Sequence, residues 1–162
     1  MAGQLDALET QIKGLEARLL AWHKADPVSQ CLATQPGVGP ISAVSFALKI
    51  PDPAGFRSAR HFAAWLGLTP KEHSTGGRRR PGKISRQGDE GLRKLLVLGA
   101  MACIRFAKTG KNLAMAELLA KKPKKLAAVA LANKMARTVW AMMVSGELYR
   151  QPPQAQAMQT TA

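Results

Sequence analysis

The chain has 162 residues, 46% of them hydrophobic, and 24 Lys and Arg against 10 Asp and Glu give a formal net charge of +14. That length suits one domain with enough apolar content to bury a core, and the cationic excess points to nucleic acid, with an anionic membrane surface as the competing partner. No apolar run approaches the roughly 18 residues of a spanning helix, no signal peptide is expected, and Cys31 and Cys103 lie far apart without metal spacing, so buried free thiols in a reducing cytoplasm are expected.

Leu5, Leu8, Ile12, Leu15, Leu19 and Trp22 follow a 3-4-3-4-3 spacing, an a/d seam over almost three heptads. Asp6, Glu9, Lys13, Glu16 and Arg18 fall outside it. Such a seam either packs on its own domain or pairs with a second copy. Asp26-Pro27 ends this helix, because proline disfavours helical backbone in the residue before it. Gln35-Pro36-Gly37-Val38-Gly39-Pro40 follows, between two short helices, and reads as a helix-hairpin-helix-like turn. Gly37 and Gly39 there are candidates for exposing backbone amides to a phosphate, although a tight Gly-Val-Gly turn also serves purely structural ends.

Ile50 to Gly55 is a connection rich in helix breakers. A short helix is expected from about Ser58 to Leu66, burying Phe62, Trp65 and Leu66 and stopping at Gly67. The loop from Leu68 to Ile84 comes next. Ser74 and Thr75 stand there beside Gly76, Gly77, Arg78, Arg79 and Arg80, with Lys83 close behind. Between Lys71 and Lys94, which also takes in Arg86 and Arg93, there are eight Lys or Arg and three acids, Glu72, Asp89 and Glu90. Glycines let backbone approach a phosphate, arginine forks grip its oxygens, and a hydroxyl among them is placed to attack it. The alternative is a solvated basic loop.

Gly88-Asp89 caps a helix from about Glu90 to Ala107, with Leu92, Leu95, Leu96, Cys103 and Phe106 at helical spacing. Another helix is expected over Asn112 to Ala120, then a basic elbow at 121–125, then a long apolar helix from Leu126 to about Ser145 ended by Gly146. The expected fold class is all-α, without an alternating β pattern of useful length. Residues 1–26 form the heptad helix, 27–150 a compact helical domain, and 151–162 a disordered tail. His61 reads as a half-buried helix residue rather than a ligand, and His73 as a neighbour able to take the Ser74 proton. The acids make no pair spaced for a two-metal nuclease, and no cofactor is expected in this chain.

Several blocks in order resemble the C-terminal domain of the insertion-sequence 110/116/902 family of transposases. They are Gln35 to Pro40, Phe56 to Arg60, Ala64 to Pro70, His73 to Arg78, Gly82 to Asp89, Leu92 to Leu96 and Ala132 to Trp140, and the match runs from about residue 32 to Tyr149. The resemblance implies a DNA recombinase whose serine becomes joined to DNA, a guide RNA made by the element, and dimer contacts through the helix before this domain. It assigns the nucleophile to Ser74, with Thr75 as the second alignment, and implies a cytoplasmic, nucleoid-associated bacterial protein. Full-length members carry a RuvC-like nuclease domain with four metal-binding acids, to which nothing here corresponds. Mg²⁺ is therefore implied only through that domain, and a truncated or separately encoded half is expected. A non-catalytic nucleic-acid-binding remnant that dimerises with intact transposases is the alternative.

Overall fold

A computed structural model describes residues 2–72, 81–107 and 119–150. The central part of the basic loop, 73–80, lies outside them, as do the tail 151–162 and most of the helix expected over 112–120, of which residues 119 and 120 are described and helical.

The described residues are all-α apart from one small hairpin. Helix α1 spans Ala2–Ala25, α2 Pro27–Ala33 and α3 Pro40–Lys49, followed by a single 3-10 turn at Pro53–Gly55 and α4 at Ala59–Trp65. Strands β1 (Pro70–Glu72) and β2 (Pro81–Ile84) pair antiparallel, with Pro70 opposite Ile84, Glu72 opposite Pro81 and an irregularity between. Helix α5 covers Glu90–Ala107 and α6 covers Lys124–Ser145. The hairpin is a departure from the sequence reading. Its strands are three and four residues long and each begins with proline, so they carry no alternation to detect.

Local signals account for most helix ends. Asp26 breaks α1 from α2 and caps the second, accepting the Ser29 N–H at 2.7 Å, with Pro27 at the first helical position. Ser58 accepts the His61 N–H at 3.2 Å to start α4. Gly146, at φ +70°, closes α6 with its N–H on the Met142 carbonyl at 2.8 Å.

The core lies between α2, α3, α4, α5 and α6. Phe46, Phe62, Leu32, Leu66, Leu92, Leu96 and Val139 are all fully buried there, each worth about 1.5–3 kcal/mol of transfer free energy. Phe56 meets Phe62 edge-on at 5.0 Å and Trp65 at 5.3 Å between ring centroids, which fixes α4 against the turn before it. The Trp140 indole N–H donates to the Pro53 carbonyl at 2.9 Å, tying α6 to the same turn.

Several side chains sit differently from the expectation. Trp65 is 40% exposed and Phe106 74% exposed, because helical spacing marks a face without saying how much of it is covered. His61 is exposed, with its ring edge-on to Phe56. Both cysteines are free but only part-buried. Burial still pushes each thiol's pKa up, so neither is a reactive thiolate.

Helix α1 stands apart. It touches α2 and α3, yet Leu5, Leu8, Ile12 and Leu15 are each more than half exposed, and only Leu19 and Trp22 of the seam approach cover.

Candidate nucleic-acid interface

The basic loop leaves and re-enters the frame through β1 and β2, so the structure brings its two ends together. Beneath them the backbone is tightly locked. The Thr69 carbonyl accepts the Ser85 N–H at 2.9 Å, and the Gly67 carbonyl accepts the Arg86 N–H at 3.1 Å. Gly67 (φ +72°) and Gly88 (φ +85°) permit this closeness. A Cβ on Gly67 would lie 2.2 Å from the Gln87 carbonyl oxygen, and one on Gly88 would lie 1.8 Å from the Trp65 carbonyl oxygen. Arg86 itself sits at φ +57°, a left-handed conformation unfavourable to a residue with a Cβ.

The predicted cations divide by what holds them. Arg93 donates from Nη1 to the carbonyls of Leu66 at 3.0 Å and Gln87 at 3.1 Å, clamping the hairpin base to α5. Lys94 pairs with Glu90 at 2.8 Å on the solvent face of α5. Lys83 and Arg86 are exposed on and just after β2. Ser74, Thr75, Gly76, Gly77, Arg78, Arg79 and Arg80, with His73, fall outside the described residues.

Asp89 secures the start of α5. Its carboxylate accepts the Leu92 N–H at 2.7 Å and pairs with Lys49 Nζ at 2.7 Å. The Lys49 hydrogen bond first, and the Leu92 N–H next, hold its carboxyl below the usual carboxylate range.

The two glycines of the predicted phosphate turn have different surroundings. Gly37 (φ +85°) packs into the domain, where a Cβ would come within 2.9 Å of Cys103 Sγ, Met135 Cε and the Gly99 carbonyl. Gly99 returns the contact, its Cβ position lying 1.9 Å from the Gly37 carbonyl oxygen. Gly37 thus has a packing reason of its own, letting the turn touch α5. Gly39 faces open space as the N-cap of α3, with no side chain capping the helix.

A second group was not singled out from the sequence. Arg60 from α4, Thr69 from the hairpin root, and Asn133 and Arg137 from α6 line an open pocket of about 250 Å³ together with Ala63. Asn133 is anchored by its amide donating to the Leu68 carbonyl at 3.1 Å. The i,i+4 spacing of Asn133 and Arg137 was a legible hint of a shared helix face, but nothing in the spacing brings Arg60 to them.

Among the described residues no three His, Cys, Asp or Glu side chains are placed together to hold a metal ion. No described helix is long and apolar enough to cross a membrane.

Fold and site together define a small helical domain that holds a cationic hairpin loop on a locked base. A sequence profile described as Transposase IS116/IS110/IS902 family matches residues 29–114. That is more than half of the chain, which belongs to this transposase family. Among its relatives, a protein named as a transposase in Sinorhizobium fredii is 51% identical over 148 residues, 89% of this chain and 38% of the relative. One named as a family 20 transposase in Pseudomonas aeruginosa is 44% identical over 150 residues, 91% of this chain and 44% of its own length. The transposase for insertion sequence element IS1111A of Coxiella burnetii is 36% identical over 138 residues, 83% and 38% of the two chains. The chain thus spans about two fifths of the length of these relatives.

Proposed function

We propose that this chain is a DNA-binding domain of a transposase that acts through a serine nucleophile, Ser74, in concert with a RuvC-like nuclease domain. The observation that carries the reading is the locked base of the hairpin. Backbone hydrogen bonds at Thr69 and Gly67, the Arg93 clamp and the Asp89 cap fix both ends of the segment bearing Ser74 and the arginines. Such anchoring suits a loop that must meet a polyanion in one orientation.

In the proposed step, Ser74 Oγ attacks a phosphorus of the DNA backbone. The Oγ–P bond forms, the bond from phosphorus to one bridging oxygen breaks, and that strand end leaves as a hydroxyl carrying a proton. His73 is the candidate to take the serine proton, and Arg78, Arg79 and Arg80 stabilise charge on the non-bridging oxygens. A strand hydroxyl attacking the phosphoserine reverses the step and joins a different end. The metal-binding acids belong to the RuvC-like domain, and target choice rests with a guide RNA paired to DNA. Gly39, Gly76, Gly77, Lys83, Arg86 and Lys94 contribute backbone or charge contacts to phosphates, while Arg93 and Gly37 serve chiefly to hold the frame.

The exposed seam of α1 favours a second reading, a nucleic-acid-binding protein that pairs with other members of its family and regulates them without cutting DNA. Incubating the chain with element-end DNA, with and without a RuvC-like domain and Mg²⁺, separates the two. The first reading expects a protein–DNA adduct that survives denaturing electrophoresis and disappears in Ser74→Ala. Binding without an adduct under every condition leaves the second.

A further inference from the structure

The pocket bounded by Arg60, Thr69, Asn133 and Arg137 lies outside the serine loop, and its residues are not part of the nucleophile assignment. It carries two guanidinium groups and no acid among its lining residues. Neither arginine is paired with a carboxylate in the described residues, where the ion pairs are Lys49–Asp89, Lys94–Glu90 and Arg150–Glu147. Arg137 Nε is closed off from solvent without a protein acceptor. The guanidinium is part-desolvated with no carboxylate beside it, a costly arrangement whose charge an anion in the pocket offsets.

The surroundings are fixed rather than pliant. Asn133, one helical turn before Arg137, is tied to the Leu68 carbonyl. Thr69 is held through its backbone carbonyl, which accepts the Ser85 N–H at 2.9 Å, and it lines the pocket. Arg60 rises from the first turn of α4, whose start is capped by Ser58. The three supports belong to three different elements, and they converge only in the folded chain.

We propose that this pocket seats one phosphate of a nucleic-acid strand. Arg137 and Arg60 bind its non-bridging oxygens and the Thr69 hydroxyl donates a third hydrogen bond. A volume of about 250 Å³, open on one side, leaves room for the phosphate with its sugars running on along the surface. Because Thr69 directly precedes β1, a strand seated here runs beside the root of the serine loop. The pocket positions the strand and reads no base. This inference rests on the nucleic-acid-binding reading above and adds a second point of contact to it.

The test uses the whole chain and three labelled probes: a duplex DNA, one of its single strands, and an RNA of the same sequence. Affinity is measured by fluorescence anisotropy across a salt series for wild type, Arg60→Gln, Arg137→Gln, Arg137→Lys and a charge-matched change far from the pocket, Lys13→Gln. Each glutamine variant is expected to bind about tenfold more weakly, with the slope of log affinity against log salt reduced by about 0.9 on duplex or 0.7 on single strands. Arg137→Lys is expected to restore the slope but only part of the affinity, since it keeps the charge and loses the fork. Lys13→Gln is expected to stay within twofold. A loss confined to the RNA or to the DNA probes identifies which strand occupies the pocket. Arg60 is exposed, so its variant remains informative if Arg137→Gln fails to fold. If wild type binds all probes and the pocket variants match Lys13→Gln in affinity and slope, the pocket assignment is overturned alone. If wild type binds none of the probes, the underlying nucleic-acid reading falls with it.

Discussion

Asp89 joins two elements through one carboxylate, capping α5 at Leu92 and drawing in Lys49 from the end of α3. Its carboxyl pKa is lowered in the folded chain, so the native state binds protons less readily there than the unfolded state does. The stability it contributes is therefore complete above the unfolded value of about 3.9 and is lost as pH falls through the lower folded value. Thermal melts between pH 6 and pH 2.5 check this. Wild type is expected to lose more stability over that range than Asp89→Asn, which keeps a capping oxygen without a titrating charge. Asp89→Ala is expected to cost about 1–2 kcal/mol near neutral pH. Gly67 and Gly88 make a sharper case, since each combines positive φ with a backbone oxygen where a Cβ belongs. Gly67→Ala and Gly88→Ala are each expected to destabilise the domain by about 2–4 kcal/mol in denaturant titrations. Gly39→Ala, in open space at negative φ, is expected to cost less than about 1 kcal/mol in the same titrations.

Among the elements, α1 and the hairpin depart most from an ordinary helical domain. Helix α1 is 24 residues, about 36 Å long, and its seam is uncovered over the first four positions. A second copy is the proposed cover, and the consequence is a clean separation of assembly from stability. Ile12→Lys with Leu15→Lys is expected to shift the chain to monomer in sedimentation velocity. Its thermal midpoint at low protein concentration is expected to stay within about 3 °C of wild type, because neither side chain is buried in the single chain. An unchanged sedimentation coefficient would sink the pairing idea. The remaining helices were largely legible in advance. The α5 bounds coincide with the expected Glu90 to Ala107, and α6 begins only two residues before the expected Leu126. Asp89, Ser58, Pro27 and Gly146 are local signals, acting through hydrogen bonds to neighbours within a few residues. The hairpin was not legible, because its short strands exist only where Gly67 and Gly88 let the α4 end and the α5 start meet.

For the whole molecule, composition alone determined the class of partner to consider. A net charge of +14 over 162 residues is a sum, and it survives any arrangement of the chain. The helical character and the presence of an apolar seam were equally settled by spacing, because a 3.6-residue period is a local geometric fact. What only the tertiary structure decided is which side of each pattern faces what. It left Trp65 partly exposed and packed Gly37 against Gly99, it committed Arg93 to carbonyls rather than solvent, and it set Arg60 beside Arg137 across 77 positions of sequence. Burial, clamping and convergence depend on contacts between residues remote along the chain, and no local periodicity encodes those distances.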